Sequence, residues 1–198
     1  LLEFLDTSGQ YKNYRDDIII LLGTGLRVSE LYGLTYQDVD IANKRIYVNK
    51  QLHKIDTRLY VFSPKSKAGT RTLAMTDDVK QAFISVMQKK RPAVEPIVDG
   101  YTGFIFFNQT GSVRTRKNLM TSMINMRKSF KSAGYGDIDF LTPHVLRHTF
   151  CSRMVEKGMN PKDLQIIMGH SEISTTMDVY THKEPEKVAK EMERLISC

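Results

Sequence analysis

The segment spanning residues 142–180 constrains the fold and the chemistry of this chain more than any other. It opens on a threonine-proline pair, which is typical of a helix N-cap and first helical residue and predicts a helix that starts just before His144. Residues three and four positions apart share one face of a helix, so His144, Arg147 and His148 should point the same way. A guanidinium group between two imidazoles suits an anion better than a core. We therefore expect the functional centre here.

The same segment continues into two shorter helices. Gly158 ends the first helix, Asn160 caps a second, and residues 171–179 form a third that carries Tyr180 at its end. His170 stands between the second and third helices. The segment thus contains groups that could bind a phosphate, together with a possible nucleophile.

The N-terminal part places a second arginine at a helix junction. The apolar run within residues 14–22 predicts a buried helix, and a threonine-glycine pair separates it from a short helix that ends near Gly33. Arg27 lies at this junction, where its side chain either reaches into a cleft or pairs with an acid such as Glu30. The local sequence leaves both interpretations open.

Residues 45–75 change to a strand-forming composition. The runs RIYVNKQL, TRLYVFSPK and RTLAM are rich in β-branched and aromatic residues, which predicts a small antiparallel sheet of three strands. The tip of the second hairpin carries Lys65, Lys67 and Arg71. These cations either keep an edge strand from aggregating or reach into a DNA groove.

Helices follow the sheet. Thr76 caps a helix that runs through Lys90, and its acidic start and basic end suit the helix dipole. After a loop with a short buried strand or turn at residues 103–107, another helix runs to about residue 133. Its start is basic, and cations there oppose the helix dipole. Either a bound anion or solvent would compensate for this positive charge. The cations at this start are Arg114, Arg116 and Lys117. The patterns together predict a mixed α+β fold that is mainly helical.

Length and charge indicate one domain with a polyanionic partner. A chain of 198 residues with a formal charge of +7 can bury one sizeable core and favours a polyanion such as nucleic acid. Cys151 and Cys198 make no disulfide framework, and neither a signal peptide nor a membrane-spanning run is visible, so we expect a cytoplasmic protein without a membrane partner. The opening residues resemble the end of a helix without its start, which suggests a piece of a longer protein.

Two common enzyme chemistries fit this chain poorly. His144 and His148 have zinc spacing, but Val145 replaces the glutamate of His-Glu-x-x-His, and Arg147 would repel a dication. A Gly-x-Ser-x-Gly elbow is missing, and neither cysteine has a reactive setting. We therefore expect no metal and no cofactor.

Phosphoryl transfer on a phosphodiester uses the residue types that are present. Bidentate arginines neutralise the charge on the nonbridging oxygens in the transition state. A tyrosine oxygen can attack phosphorus and form a covalent intermediate, and a lysine can supply the proton that a leaving 5′-oxygen needs. This chemistry requires no carboxylate-bound metal.

Four boxes in this order resemble those of the tyrosine recombinase (phage integrase) family. Residues 24–31, TGLRVSEL, resemble its first-arginine box, and residues 142–150, TPHVLRHTF, resemble its His-x-x-Arg box. Residues 168–171, MGHS, and 179–182, VYTH, resemble its Gly-His and nucleophile boxes. The resemblance is nearest to integrases of conjugative transposons, and it implies the family's catalytic fold with the small three-stranded sheet.

The resemblance implies a role for each matching residue. Arg27 and Arg147 would bind the scissile phosphate, His170 would hydrogen-bond it, and His144 would assist as acid and base. Tyr180 would form a 3′-phosphotyrosyl bond to DNA and release a 5′-hydroxyl.

The family's lysine lies in the second hairpin, where Lys65 matches better than Lys67. The return strand departs from the family pattern, since Ala74-Met75 stands in place of Pro-Leu, and this leaves the lysine register open. The expected DNA contacts are Lys67, Arg71, Arg114, Arg116 and Lys117.

The resemblance also implies a larger assembly. Residues 1–198 would be the catalytic domain, without the N-terminal DNA-binding domains of the family, and the amphipathic tail of residues 183–198 suits the exchange of a C-terminal segment between protomers in a dimer or tetrameric synapse. The expected reaction is site-specific recombination of double-stranded DNA at the ends of a mobile element. The alternatives are a type IB topoisomerase and a catalytically silent DNA-binding regulator on the same scaffold.

Overall fold

The computed structural model describes residues 1–64, 66–138 and 140–180, and the expected mainly helical α+β fold is confirmed. The helices are α1 (Leu2–Thr7), α2 (Arg15–Thr24), α3 (Val28–Gly33), α4 (Asp77–Met87), α5 (Arg116–Ser132), α6 (Pro143–Glu156), α7 (Pro161–Met168) and α8 (Ser174–Tyr180). The strands are β1 (Val39–Asp40), β2 (Arg45–Val48), β3 (Gln51–Ile55), β4 (Arg58–Phe62) and β5 (Arg71–Ala74). The tail of residues 183–198 lies outside the described residues.

The strands form two small antiparallel sheets. The expected three-stranded sheet is present, in the order β1-β2-β5, but the run TRLYVFSPK is not part of it. That run supplies β4, whose one partner among the described strands is β3, in a separate hairpin whose turn holds Asp56 at φ 52°. The run RIYVNKQL divides between β2 and β3, because Lys50 turns inward at the break and donates to the buried carboxylate of Asp38 at 2.5 Å.

Helix boundaries follow the local capping chemistry. α6 begins after Thr142 and α7 after Asn160, and each of these side chains accepts a backbone N–H from the first turn. α2 ends at Gly25, whose left-handed backbone (φ 64°) suits glycine. α4 stops at Met87, earlier than expected, and its end tightens into a 3₁₀-type turn in which the N–H of Lys89 donates to the carbonyl of Val86. Over the described ranges no helix is both long and apolar enough to cross a bilayer.

Two cores hold these elements together. The main core joins the sheets with α1 to α6, and its largest fully buried side chains include Tyr32, Phe83, Phe104 and Phe106. Residues 103–107 cross this core with isolated bridges instead of a strand. A second, smaller core lies under the C-terminal helices. Its buried members are Phe150, Cys151, Val155, Leu164 and Met168.

Arg114 belongs to the interior, which removes it from the expected DNA contacts. Its Nη1 donates to both carboxylate oxygens of Asp17 at 2.7 Å, and the hydroxyl of Tyr32 donates to Oδ2 of Asp17 at 2.8 Å. Burial raises the pKa of the Asp17 carboxyl, although Arg114 and Tyr32 act in the opposite direction. The guanidinium therefore balances a buried carboxylate that ties α2 to the start of α5, and we assign Arg114 a structural role.

We expect Gly25→Ala to destabilise the protein more than Gly134→Ala. Both glycines have positive φ (64° and 81°), but an added Cβ at residue 25 would lie 2.4 Å from Cδ1 of Phe150, whereas at residue 134 it would meet nothing within 4 Å. Gly134→Ala should cost about 1 kcal/mol of unfolding free energy from backbone strain. Gly25→Ala should cost roughly 2–4 kcal/mol, because overpacking adds to that strain. Urea denaturation measures both, and equal losses would show that Phe150 moves aside freely.

Candidate active site

A cleft of about 760 Å³ brings together residues that are far apart in the sequence. Arg27 from the start of α3, His144 and Arg147 from α6, and His170 from the turn after α7 all line it. His144 is exposed, whereas Arg147 is buried at the floor with 6% of its surface accessible. The three boxes that were expected to bind a phosphate thus meet in one place.

A buried carboxylate fixes the first arginine. Glu30 is fully buried, and its Oε1 accepts a hydrogen bond from Nη1 of Arg27 at 2.9 Å while its Oε2 accepts the backbone N–H of Arg27 at 2.8 Å. Arg27 also donates from Nη2 to the carbonyl of Gly169 at 3.1 Å. Both interpretations of Arg27 therefore hold at once, because it pairs with Glu30 and lines the cleft.

Arg71 shares the same carboxylate and is not a hairpin-tip cation. It is buried, and its two Nη atoms donate to the two oxygens of Glu30 at 3.1 and 2.9 Å. Its Nε donates to the carbonyl of Ile167 at 2.6 Å, and Nη1 also donates to the carbonyl of Gly69 at 3.1 Å. Arg71 thus joins β5, α3 and α7, so we remove it from the expected DNA contacts.

The charge of Glu30 persists in this buried setting. Burial raises the pKa of its carboxyl, but the hydrogen bonds and charge of Arg71, followed by those of Arg27, outweigh burial and hold the pKa below its ordinary value. The carboxylate is therefore ionised near neutral pH. One negative charge is shared by two guanidinium groups.

Arg147 is held by backbone carbonyls instead of a carboxylate. Its Nη1 donates to the carbonyl of Gly25 at 2.5 Å, and its Nη2 donates to the carbonyl of Met168. Burial, followed by repulsion from Arg27 and Arg71, lowers the pKa of Arg147 to about 9. Three guanidinium groups share the site with one carboxylate, so the cleft has an excess of positive charge that a phosphate would neutralise.

His170 is oriented by the turn that ends α7. Gly169 has a left-handed backbone (φ 62°), and the next residue points its ring into the cleft. Nδ1 of His170 lies 2.9 Å from Oγ1 of Thr176, which is fully buried in α8. Burial, followed by repulsion from the arginines with Arg147 first, lowers the pKa of His170 to about 4. The ring is therefore neutral near neutral pH.

The expected nucleophile lies in the second core. Tyr180 ends α8, its hydroxyl donates to the carbonyl of Met159 at 2.5 Å, and its ring packs on the cluster that contains Cys151. Burial, followed by the charge of Cys151, raises the pKa of the Tyr180 hydroxyl. Among the described residues that line the cleft Tyr180 is missing. For the Tyr180 hydroxyl to attack a phosphate in the cleft, it would have to leave the carbonyl of Met159 and lose its proton.

The segment with the two candidate lysines borders the cleft. Pro64, Ser66 and Gly69 all line it. Lys65 itself lies outside the described residues, and only the backbone of Lys67 is described, in a short 3₁₀ turn. The preference for Lys65 over Lys67 stays a prediction.

The first turn of α5 supplies exposed positive charge next to the cleft. Arg116 lines the cleft, and Lys117 is exposed beside it. Thr115 caps this helix and accepts the backbone N–H of Asn118. Over the described residues no three His, Cys, Asp or Glu side chains converge in the manner of a metal site.

The roles of two residues in the site do not follow from local sequence. The i+3 spacing of Glu30 predicts its pair with Arg27, but its second partner, Arg71, comes from a distant strand. The contact of Thr176 with His170 depends on how α8 packs against α7, which no local pattern indicates.

Comparisons with known sequences agree with this geometry. A model of the phage integrase family matches residues 1–187. The transposase of transposon Tn916 from Enterococcus faecalis is 36% identical over 197 residues, which make up 98% of this chain and 48% of the transposase. A XerC-like tyrosine recombinase from Caldanaerobacter subterraneus is 27% identical over 204 residues, covering 93% of this chain and 50% of that protein. The chain thus spans about half the length of these relatives.

A solved structure also has this fold. The Tn1549 transposon integrase in complex with circular intermediate DNA is 40% identical, with a TM-score of 0.91. The match covers 98% of this chain and 63% of the integrase.

Arg71→Met should destabilise the protein strongly. The variant leaves each carboxylate oxygen of buried Glu30 with one donor fewer and removes the donor from the carbonyl of Ile167. Breaking a buried ion pair from one side costs about 3–5 kcal/mol of unfolding free energy. Urea denaturation measures it, with Lys44→Met as a control that breaks an exposed ion pair and should change little. A loss no larger than in the control would mean that Arg27 alone satisfies Glu30.

His170 should make stability depend on pH. The pKa of its ring falls from 6.5 to about 4 on folding. Because the unfolded chain then binds more protons between these values, the His170 contribution is complete above pH 6.5 and is lost as the pH falls to about 4.

We therefore expect His170→Gln to flatten the decline of unfolding free energy over this pH range, as measured by urea denaturation at a series of pH values. The control is Thr149→Val, which removes a hydroxyl that bonds a carbonyl of its own helix and changes no titratable group, so it should leave the decline intact. Identical profiles for the wild type and His170→Gln would contradict the assigned burial and repulsion.

Proposed function

We propose that this chain, which belongs to the phage integrase family, is the catalytic part of a site-specific DNA recombinase that acts at the ends of a mobile element. The observation that carries the proposal is the convergence of Arg27, Arg147, His144 and His170 on one cleft with excess positive charge. The relatives supply the substrate class, since one is a transposase and another is an integrase in complex with circular intermediate DNA.

The scissile phosphate would bind between the two cleft arginines. Arg27 approaches from α3 and Arg147 from α6, and both are held on the protein side by fixed partners, Glu30 and backbone carbonyls. Their remaining N–H groups can donate to the two nonbridging oxygens, whose negative charge grows in the transition state. His170, as a neutral ring, would donate one further hydrogen bond.

The chemical step is the exchange of one phosphate ester for another. Oη of Tyr180 forms a bond to phosphorus as the bond between phosphorus and the 5′-oxygen breaks, which leaves a 3′-phosphotyrosyl link and a 5′-hydroxyl. His144 accepts the tyrosine proton, and Lys65 (or Lys67) gives a proton to the 5′-oxygen. Rejoining is the reverse, in which a 5′-hydroxyl attacks the phosphotyrosine. Because ester bonds are exchanged, the reaction needs no external energy source.

The surroundings of the cleft support a duplex as partner. Arg116 lines the cleft and Lys117 is exposed next to it, so both can reach backbone phosphates on either side of the scissile one. These two residues, with Lys67, form the DNA-contacting set that we propose.

We further infer a homo-oligomer on DNA, from a dimer to a tetrameric synapse, since each cut strand needs its own tyrosine. In this view the tail of residues 183–198 passes between protomers, and the protein works in the bacterial cytoplasm, where the DNA is.

Tyr180→Phe should abolish covalent capture of DNA. The substrate is a nicked suicide duplex with the joined ends of the mobile element that encodes the protein, and the enzyme is the longest natural form that carries this chain. The wild type should give an adduct on denaturing gels, because the fragment that diffuses away prevents rejoining. The variant should bind the duplex normally and give no adduct, since it lacks the attacking oxygen.

Tyr47→Phe serves as the matched control, because Tyr47 is 42% exposed on β2, and it should retain the adduct. An adduct that persists in Tyr180→Phe would place the nucleophile elsewhere. DNA binding by the wild type without any adduct would favour a silent regulator. Relaxation of a supercoiled plasmid without element ends would favour a topoisomerase.

A further inference from the structure

The contact between His170 and Thr176 decides which ring nitrogen faces the cleft. Nδ1 of His170 lies 2.9 Å from Oγ1 of Thr176, and the ring lines the cleft. Nε2 is therefore the nitrogen that remains for a ligand. In a neutral imidazole one nitrogen carries the proton and the other accepts, so the partner of Nδ1 determines what Nε2 can do.

We infer that Thr176 is a positioning residue whose hydroxyl donates to Nδ1 of His170 and so keeps the proton on Nε2, which then donates to a nonbridging oxygen of the scissile phosphate. The choice of tautomer and the final step both rest on the proposed function, since the contact between Nδ1 and Oγ1 is compatible with either direction of donation and it is the phosphate that requires a donor at Nε2. In the opposite arrangement Nδ1 would donate to Thr176, and Nε2 would present a lone pair to a negatively charged phosphate.

A hydroxyl suits this position better than a carboxylate. A carboxylate next to Nδ1 would favour the charged imidazolium, as it does in catalytic triads. Thr176 is neutral and fully buried, so it orients the ring without adding charge to a site already crowded by Arg147 and Arg27. Its branched side chain has few rotamers in a helix, which limits the positions that Oγ1 can take.

The backbone of His170 is also held, so the ring has little freedom. Its N–H donates to the carbonyl of Gln165 at 3.1 Å, and its carbonyl accepts from Nε2 of Gln165 at 3.2 Å. Thr176 precedes Tyr180 by one helical turn, and α8 packs on both α6 and α7. The same hydrogen bond therefore connects the phosphate-binding turn with the helix that carries the tyrosine.

The tautomer can be measured without any activity. In protein labelled with ¹⁵N-histidine, long-range ¹H–¹⁵N correlation spectra distinguish the protonated from the bare ring nitrogen, and His170→Gln assigns the signals. We expect the proton on Nε2 in the wild type. Thr176→Val, which keeps the shape and removes the hydroxyl, should give a mixture of tautomers, and Thr176→Ser should restore the wild-type spectrum.

Covalent cleavage of the suicide duplex tests the catalytic consequence. Groups that orient a histidine at metal centres are worth about 10- to 100-fold in activity, and we expect Thr176→Val to slow adduct formation by at least about 10-fold. Thr176→Ser should recover most of the rate. Thr149→Val is the matched control, because the hydroxyl of Thr149 bonds only a carbonyl of its own helix at 2.8 Å, and it should cleave normally.

Each outcome decides one part of the inference. A proton on Nδ1 in the wild type, or an unchanged tautomer in Thr176→Val, would overturn the positioning role. A changed tautomer with normal cleavage would overturn the donation to phosphate. If the wild type makes no adduct at all, the proposed function fails, and the spectra still decide the tautomer. Thermal unfolding of every variant shows whether a lost rate reflects a lost fold.

Discussion

Two guanidinium groups share the buried carboxylate of Glu30, and the relative positions of three segments depend on this arrangement. A carboxylate removed from water is tolerated only when its charge is paired and its lone pairs are filled, and Arg27 and Arg71 together meet both conditions. Arg71 also donates to the carbonyl of Ile167, so the same guanidinium group holds α7 in place. The start of β5, the helix α3 and the helix α7 are thus held together by one charge.

Arg147 shows a complementary principle, because its donors meet backbone dipoles. Carbonyls of Gly25 and Met168 orient the guanidinium without cancelling its charge. Its charge is therefore oriented in advance, and a phosphate bound there, as we propose, would displace no side-chain partner. Preorganised electrostatics of this kind supplies much of the rate enhancement of enzymes.

Much of this arrangement could be predicted from the sequence, and the features that could not be predicted share one physical cause. Helix starts at Thr142 and Asn160 depend on side chains next to the backbone groups they cap, so local pattern suffices. The boxes around Arg27, Arg147 and His170 are short and specific, so the residues of the cleft could be named. The burial of Arg71 and Arg114 could not be predicted. A cation near a turn is exposed or buried according to whether a carboxylate distant in the sequence lies next to it in the fold. The predicted pairing of β4 was wrong for the same reason, because the composition of a strand does not determine which strand it pairs with.

The docking of Tyr180 on the carbonyl of Met159 has a kinetic consequence. If the hydroxyl must leave that carbonyl before it reaches the cleft, the measured cleavage rate is the intrinsic chemical rate multiplied by the fraction of molecules with the tyrosine released. A change far from the phosphate could then alter cleavage only by shifting this population, and it would do so equally for every DNA sequence. Packing in the small C-terminal core would then determine the cleavage rate, whereas the contacts around the cleft would determine which DNA is bound.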